Sequence, residues 1–390
     1  TRIYKLKTSD FERINPNTKT CPVFRTSQDA MLTTQIYRQC KVLINDATRE
    51  NIWHIKFARM FDMSNDSHLF YTYSQLVDKG AKLEGNKFLL NNQFYVPLYE
   101  GKMIWHYNHH FGTINEGTKE KPARQMAMPT SDELKNPNHN IMPWYWIPKE
   151  DMDNRLIKTD AKGNIIWEWS HKWLIGFRDI TNATHDRTFV ISLIPDACGV
   201  GNSATLLFVE RGTMPGALLL GMMSSLVFDY ATRQKIGGSH ASISFVKQFP
   251  VLTPEQVSSS GYEQDIVERV ARLCWFNHDL DGWMEELREE CPEEYDLPEE
   301  PVIWDEEQRT VWQAELDAIF AHLYGLTTED LRYILDPEDV CGKGCINETF
   351  RVLKERELRE LGEYRTKRLV MEAWNKFEFD NKLKMLCYEK

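Results

Sequence analysis

Thr188-Phe-Val-Ile-Ser-Leu-Ile-Pro195 is followed by Cys198-Gly-Val-Gly-Asn202 and then by Ser203-Ala-Thr-Leu-Leu-Phe-Val209. Two runs rich in β-branched and aromatic residues thus flank a short glycine-containing segment, the pattern of strands joined by a turn. A glycine loop that cradles a nucleotide or S-adenosylmethionine would open a helix, whose N-terminus faces the ligand. Here the glycines lead into a second strand-like run, so a hairpin turn is the expectation. The same texture extends outward. Short apolar runs such as F-Y-V-P-L-Y (94–99) and N-I-I-W-E-W (164–169) alternate with Gly, Asn and Pro between residues 68 and 250. That predicts mostly sheet with long loops, plus one helix over 215–230 that is apolar on nearly all sides and therefore buried.

Beyond Pro254 a helical period takes over, with helices predicted over 264–276, 306–324, 328–334 and 350–377. Thr327 or Thr328 with Asp330 forms an N-terminal cap. In the first 60 residues, strand-like pieces accompany one helix that starts after Thr26 and places Met31, Leu32, Ile36 and Tyr37 on one face. The fold class predicted is α+β. Three segments are expected: residues 1–60 as a connector, 61–255 as a sheet-rich domain, and 256–390 as an acidic helical region.

The 390 residues include 42% apolar and 27% charged types, which excludes a disordered or fibrous chain. No apolar run is long enough to span a bilayer, and the opening at Thr1 carries no secretion leader. Cys21, Cys40, Cys198, Cys274, Cys291 and Cys387 are scattered, which predicts reduced thiols in a cytoplasmic protein and, with no initiator Met, a fragment. Cys341 and Cys345 are spaced as half a zinc site, but no second pair follows. Residues 1–250 carry 30 Lys and Arg against 24 Asp and Glu, whereas residues 251–390 carry 17 against 34. The first part can therefore face a polyanion, and the second repels one. The acidic run 289–307 reads as a solvated linker.

Three chemistries were weighed on residue types. Glu100-Gly-Lys102 with Asp78 upstream fits the carboxylate–lysine pattern of a metal-dependent nuclease, in which carboxylates hold Mg²⁺ and the lysine assists the attacking water. His106, His109 and His110 could ligate a transition metal if a loop gathered them. On a strand, however, His106 and His110 would share one face and His109 the other, so a polar recognition loop is expected there. A protein-interaction scaffold is the third reading, supported by the acidic balance beyond residue 250. No serine elbow and no papain-like cysteine signature occurs.

Seven blocks in fixed order point elsewhere. They are Asn15-Pro-Asn-Thr-Lys-Thr-Cys-Pro-Val-Phe24, Pro97-Leu-Tyr-Glu-Gly-Lys-Met-Ile104 with His106 to Phe111, and Trp173-Leu-Ile-Gly-Phe-Arg-Asp179. Arg187-Thr188 with the I-P-x-x-x-G-V-x-N stretch ending at Asn202 follows, and then Gly237-Gly-Ser-His240 running to Phe249-Pro-Val. Leu316-Asp-Ala to Leu323-Tyr-Gly-Leu326, and E-T-F-R-V-L-K with Gly362-Glu-Tyr-Arg-Thr-Lys-Arg368, complete the order. Together they resemble the region downstream of the catalytic domain in large adenine-specific DNA methyltransferases of restriction–modification and phage-defence systems, including type IIG enzymes. Asn108 stands where those enzymes tend to have Asp, and His110 where Arg is common. No F-x-G-x-G loop and no N-P-P-Y or D-P-P-Y motif is present.

The resemblance implies a target recognition domain at 61–255, with the first 60 residues packing on a methyltransferase domain outside this chain. S-adenosylmethionine would then belong to that domain, and the chain itself would bind double-stranded DNA without catalysis and without a cofactor or metal of its own. Groove reading needs Arg, Lys, Asn, Gln and His on loops. The candidates are Lys102, His106, Asn108, His109, His110, Arg124, Gln125, Arg178, Arg187, Arg233, Lys235 and His240. Arg365, Lys367 and Arg368 form a possible phosphate clamp. Arg187 is expected nearest the bases, and Arg178 is expected to be positioned by its neighbour Asp179.

Overall fold

The computed structural model describes residues 6–20, 22, 24–115, 125–182, 185–344 and 349–388. Arg124 and Cys345 lie outside them. The class is α+β: small, mostly antiparallel sheets packed on a large set of helices. The central sheet has four antiparallel strands in the order Ile191–Pro195, Trp173–Arg178, Ala204–Val209 and Ile55–Ala58. Every residue of Ile191–Pro195 and Ala204–Val209 is buried. These strands are covered on both faces, which is why their sequences are nearly continuous apolar runs, broken only by the buried Ser192 and Thr205, rather than alternating ones.

The two runs that flank the glycine segment do not form a hairpin. Trp173–Arg178 lies between them and pairs with both, Ile175 opposite Leu193 and Gly176 opposite Leu206. The two runs are therefore parallel to each other, and residues 196–203 cross over the intervening strand. On the way they place Gly199–Val200 in a second sheet, parallel to Leu98–Tyr99 of the strand Gln93–Tyr99. That strand also pairs antiparallel with Lys87–Leu90 and with Trp146–Pro148. The crossover can be this short because it presses directly on the second sheet. A Cβ on Gly199 would stand 2.2 Å from Ile147 Cδ1 and 3.2 Å from the Phe61 ring. The glycines serve packing between sheets and not a ligand.

The helix predicted over 215–230 is two helices, Thr213–Ser224 and Leu226–Arg233, bent by 61° at the break. The cause is local. Ser225 is extended, its hydroxyl accepts from the Phe228 amide, and the freed Leu226 amide donates to Asp317 at 2.7 Å. A serine side chain offers the backbone an alternative partner, and an acid from another helix takes the amide that is released. Thr213–Ser224 is almost entirely buried, as its all-round apolar sequence predicts.

Helices Glu263–Cys274, Glu306–Leu323 and Thr328–Leu335 lie where the period places them, the last with a Thr327–Asp330 capping box. The helix expected over 350–377 breaks at Gly362, whose φ of 76° is left-handed, into Arg351–Leu361 and Arg365–Tyr388. Asp281–Glu290 is a further helix that the acidic composition concealed. Part of the acidic run beyond it is packed rather than solvated. Trp304 is buried, Val302 donates to the Trp275 carbonyl, and Arg272 pairs with Asp296.

One apolar core runs from Leu32 on the helix Ser27–Gln39 to Phe377. That core crosses the segment boundary expected at 255, and strand pairing crosses the one expected at 60. Lys41–Val42 pairs with Pro250–Val251, and Ile55–Ala58 supplies the edge of the central sheet. Within the described residues no single helix is long and apolar enough to cross a membrane.

Candidate nucleic-acid interface

Residues 104–111 form a loop closed by its own backbone hydrogen bonds. The backbones of Trp105 and Asn108 bond each other at 2.8 and 3.0 Å, and Tyr107 at the tip has a left-handed φ of 56°. The Asn108 side chain is buried and accepts from the His110 amide at 2.8 Å. Two arginines clamp the loop. Arg178, at the end of a central strand, donates through Nε to the carbonyls of Gly101 at 2.7 Å and Ile104 at 3.0 Å. Its guanidinium lies over Trp105 and Phe111, whose rings stack 5.1 Å apart. Burial lowers its pKa to about 10, which still leaves it charged near neutrality. Arg309, from the helix Glu306–Leu323, donates to the carbonyls of Tyr107 at 3.0 Å and Leu273 at 2.7 Å, and packs on the Trp304 ring at 3.7 Å.

Asp179 does not position Arg178. Its carboxylate turns away to the exposed His240, 2.8 Å from Nδ1, with Arg59 at 4.0 Å. The arginine turns to the carbonyls of Gly101 and Ile104 instead, because two acceptors placed along its planar fork satisfy it better than one flanking acid.

Arg187 and Arg233 are interior groups. Both approach Asp229, which is fully buried and also accepts from the Thr188 and Phe189 amides at 2.9 and 2.7 Å. Arg187 donates to the Ser224 carbonyl, and Arg233 to the carbonyls of Thr349, His185 and Asp186. The expectation that Arg187 lies nearest the bases is corrected by this placement: a loop arginine beside a strand has found a buried aspartate. Asp317 sits in the same region, its pKa pushed up to about 7 by burial against the pull of Arg187 and the Leu226 amide. Lys235 donates to the carbonyls of Ile14 and Gln248 over the Tyr37 ring, and burial holds its pKa well below the usual lysine value.

The C-terminal cluster is likewise engaged. Lys367 pairs with Asp336 and Asp339, and Arg368 bridges Glu363 and Glu372 on the exposed face of its helix. Arg365, just before them in sequence, is half-buried, and its Nε is buried without a hydrogen-bond partner. Lys367 and Arg368 do not stand as bare cations, so a phosphate at either would compete with carboxylates already in place.

What remains outward lies around the end of the strand Trp173–Arg178. Lys102 is half-exposed, paired with Glu100 at 3.1 Å and set over Trp144. Gly112 lies against the Lys102 carbonyl and Met126, so the small hairpin of Thr113–Asn115 and Gln125–Ala127 rises beside Lys102 with Gln125 exposed. Ser203 links the parts: its hydroxyl accepts from the Gly101 amide and its carbonyl from the Asp179 amide. Lys102, Gln125, Arg59 and His240 thus gather on one rim around the Arg178-backed aromatic pair. The nuclease set does not gather. Asp78 is exposed at the end of the helix Tyr73–Asp78, Glu100 is spent on Lys102, and no three-ligand group among the described residues includes either acid.

The loop separates the histidines differently from the strand expectation. His106 points inward to the Phe189 region, and burial, aided by Arg187 and Arg178, holds it well below the usual histidine pKa. His109 and His110 are adjacent, ring centroids 4.3 Å apart, and His110 Nε2 lies 2.9 Å from Asp279. These three form the group of metal-ligating side chains found among the described residues, their ligand atoms within 4.8 Å of one another. Asp279 and Arg309 escaped the sequence reading. Neither belongs to a recognisable block, and only the fold brings them under the histidine loop. Comparison with protein-family models gives no match, and comparison with curated proteins gives none either.

Proposed function

We propose that this chain reads double-stranded DNA as the target recognition part of an adenine-specific DNA methyltransferase of a restriction–modification or phage-defence system, acting in the cytoplasm. One observation carries the reading. Arg59, Lys102, the Trp105–Phe111 stack, Gln125, Arg178 and His240 come from separate stretches, yet all lie around the end of one strand. Most of these stretches belong to the blocks that carry the family resemblance. Methylating an adenine requires extruding it from the duplex, so sequence choice falls to a separate groove reader. A lysine and an arginine on such a rim supply phosphate contacts, while Gln125 and His240 offer hydrogen bonds suited to base edges. S-adenosylmethionine and the transfer step belong to the methyltransferase domain with which this chain would work.

The test is fluorescence anisotropy on a pool of random-sequence duplexes, with selection and sequencing of the bound fraction. Binding is expected at low salt and falls as salt rises, because each neutralised phosphate releases a counterion. Lys102→Ala should lower the salt slope by about one, and Gln125→Ala should cost roughly 1–3 kcal/mol on the selected sequence and relax it at one position. No duplex binding at about 50 mM salt, or binding indifferent to both substitutions, overturns the proposal. Nicking of plasmid in Mg²⁺ that Lys102→Ala abolishes would replace it with the nuclease reading.

A further inference from the structure

We propose that His109, His110 and Asp279 bind a divalent transition metal, with zinc the best match, and so staple the loop 104–111 to the turn His278–Leu280. The proposal rests on side-chain geometry and is independent of the DNA reading.

Buried polar atoms point to it first. His109 and His110 are fully buried, and His109 Nε2 and His110 Nδ1 have no hydrogen-bond partner. An unsatisfied buried polar atom costs on the order of 1–3 kcal/mol, so two such atoms in adjacent rings call for a partner. The three ligand atoms already lie within 4.8 Å of one another. A tetrahedral zinc with bonds of about 2.0–2.1 Å brings ligand atoms to about 3.3 Å.

The surroundings hold these ligands in place. Phe276 packs against both imidazoles, at 4.7 and 5.6 Å between centroids. The Asn108 side chain fixes the His110 amide, and Asn277 accepts from the Asp279 amide while donating to the His139 carbonyl. Fixed ligands of this kind are what outer partners provide in metal sites. His139 is the next imidazole, its ring 6.2 Å from that of His110 and its Nε2 also unpartnered. Water or His139 would supply the fourth position.

The chemistry selects the ion. Two imidazole nitrogens and one carboxylate suit zinc and its transition-metal neighbours, whereas magnesium and calcium prefer oxygen. Metal binding requires neutral imidazole. Arg309 opposes a cation, but its guanidinium is committed to two carbonyls and to the Trp304 face. Asp279 also borders a cleft with Tyr99, Cys198, Lys172 and His278, which gives an ion a route from solvent.

The test strips the full chain with a chelator and titrates zinc against a chromophoric competitor, with Co²⁺ absorption reporting the ligand field. One tight equivalent is expected, together with a zinc-dependent rise in Tm. Asp279→Asn keeps the shape of a partly exposed side chain, and His109→Phe keeps a ring against Phe276. Each should weaken zinc binding tenfold or more and abolish the Tm rise, while the exposed His68→Ala leaves both unchanged. Zinc affinity equal to wild type in Asp279→Asn and His109→Phe would overturn the site. So would the absence of any equivalent held more tightly than in those variants.

Discussion

Arg187 and Arg233 differ from Lys102 and Arg368 in surroundings far more than in charge. The first two share a buried aspartate and a ring of backbone carbonyls, with 13% and 6% of their side chains exposed. The second two stand at 45% and 46% exposure, each opposite carboxylates in water. A cation in the interior must be matched almost completely, because desolvation is costly. A cation at the surface keeps its hydration and loses little when its partner goes. Inner basic residues therefore hold the fold, and outer ones contribute little to it.

That contrast can be broken most decisively at Asp229. Removing this carboxylate leaves two buried guanidinium groups and the Thr188 and Phe189 amides without their acceptor. Asp229→Ala should lose about 3–5 kcal/mol in urea denaturation. A loss under about 1 kcal/mol, the level of an exposed pair, would erase the distinction between the two classes.

A smaller effect comes from Asp317. Burial raises its pKa to about 7, so the folded state holds a proton that the unfolded state has released. Its contribution is complete below the unfolded carboxyl value near about 4, declines as pH rises toward 7, and is level above that. The stability difference between wild type and Asp317→Asn should shift against wild type across this window, by on the order of 1 kcal/mol per pH unit. Equal pH profiles for the two proteins would show that the carboxyl is not desolvated.

The smallest change is expected at the exposed end of the comparison. Arg368→Ala breaks contacts to Glu363 and Glu372 but should alter stability by less than about 0.5 kcal/mol and leave DNA affinity unchanged. A clear fall in affinity at low salt would move this cluster from the helix surface to the DNA-contacting rim.

Much of the architecture was legible because burial writes itself into periodicity. The helices Glu263–Cys274, Glu306–Leu323 and Thr328–Leu335 and the strands between 173 and 209 follow directly from apolar spacing. The hairpin expected at 198–202 does not form, because local pattern reports that a chain turns, not which strand it meets next. The breaks at Ser225 and Gly362 lay within helical patterns that continue across them. In the candidate site, residue type alone could not separate the carbonyl-bound Arg178 from the exposed Lys102 four residues after Leu98. Asp279 lies 169 residues from His110, Arg309 202 from Tyr107 and Asp317 91 from Leu226, and no local signal records them.

The edge strand Ile55–Ala58 pairs with Leu206–Val209, and Lys41–Val42 pairs with Pro250–Val251. During synthesis at roughly 5–20 residues per second, the partner of Ile55–Ala58 leaves the ribosome on the order of ten seconds later. Throughout that interval the neighbouring Trp53, fully buried in the finished molecule, has no sheet to cover it. Ile55–Ala58 stays unpaired until Val209 has been made, and Lys41–Val42 until Val251. That delay is set by topology and not by any single weak contact.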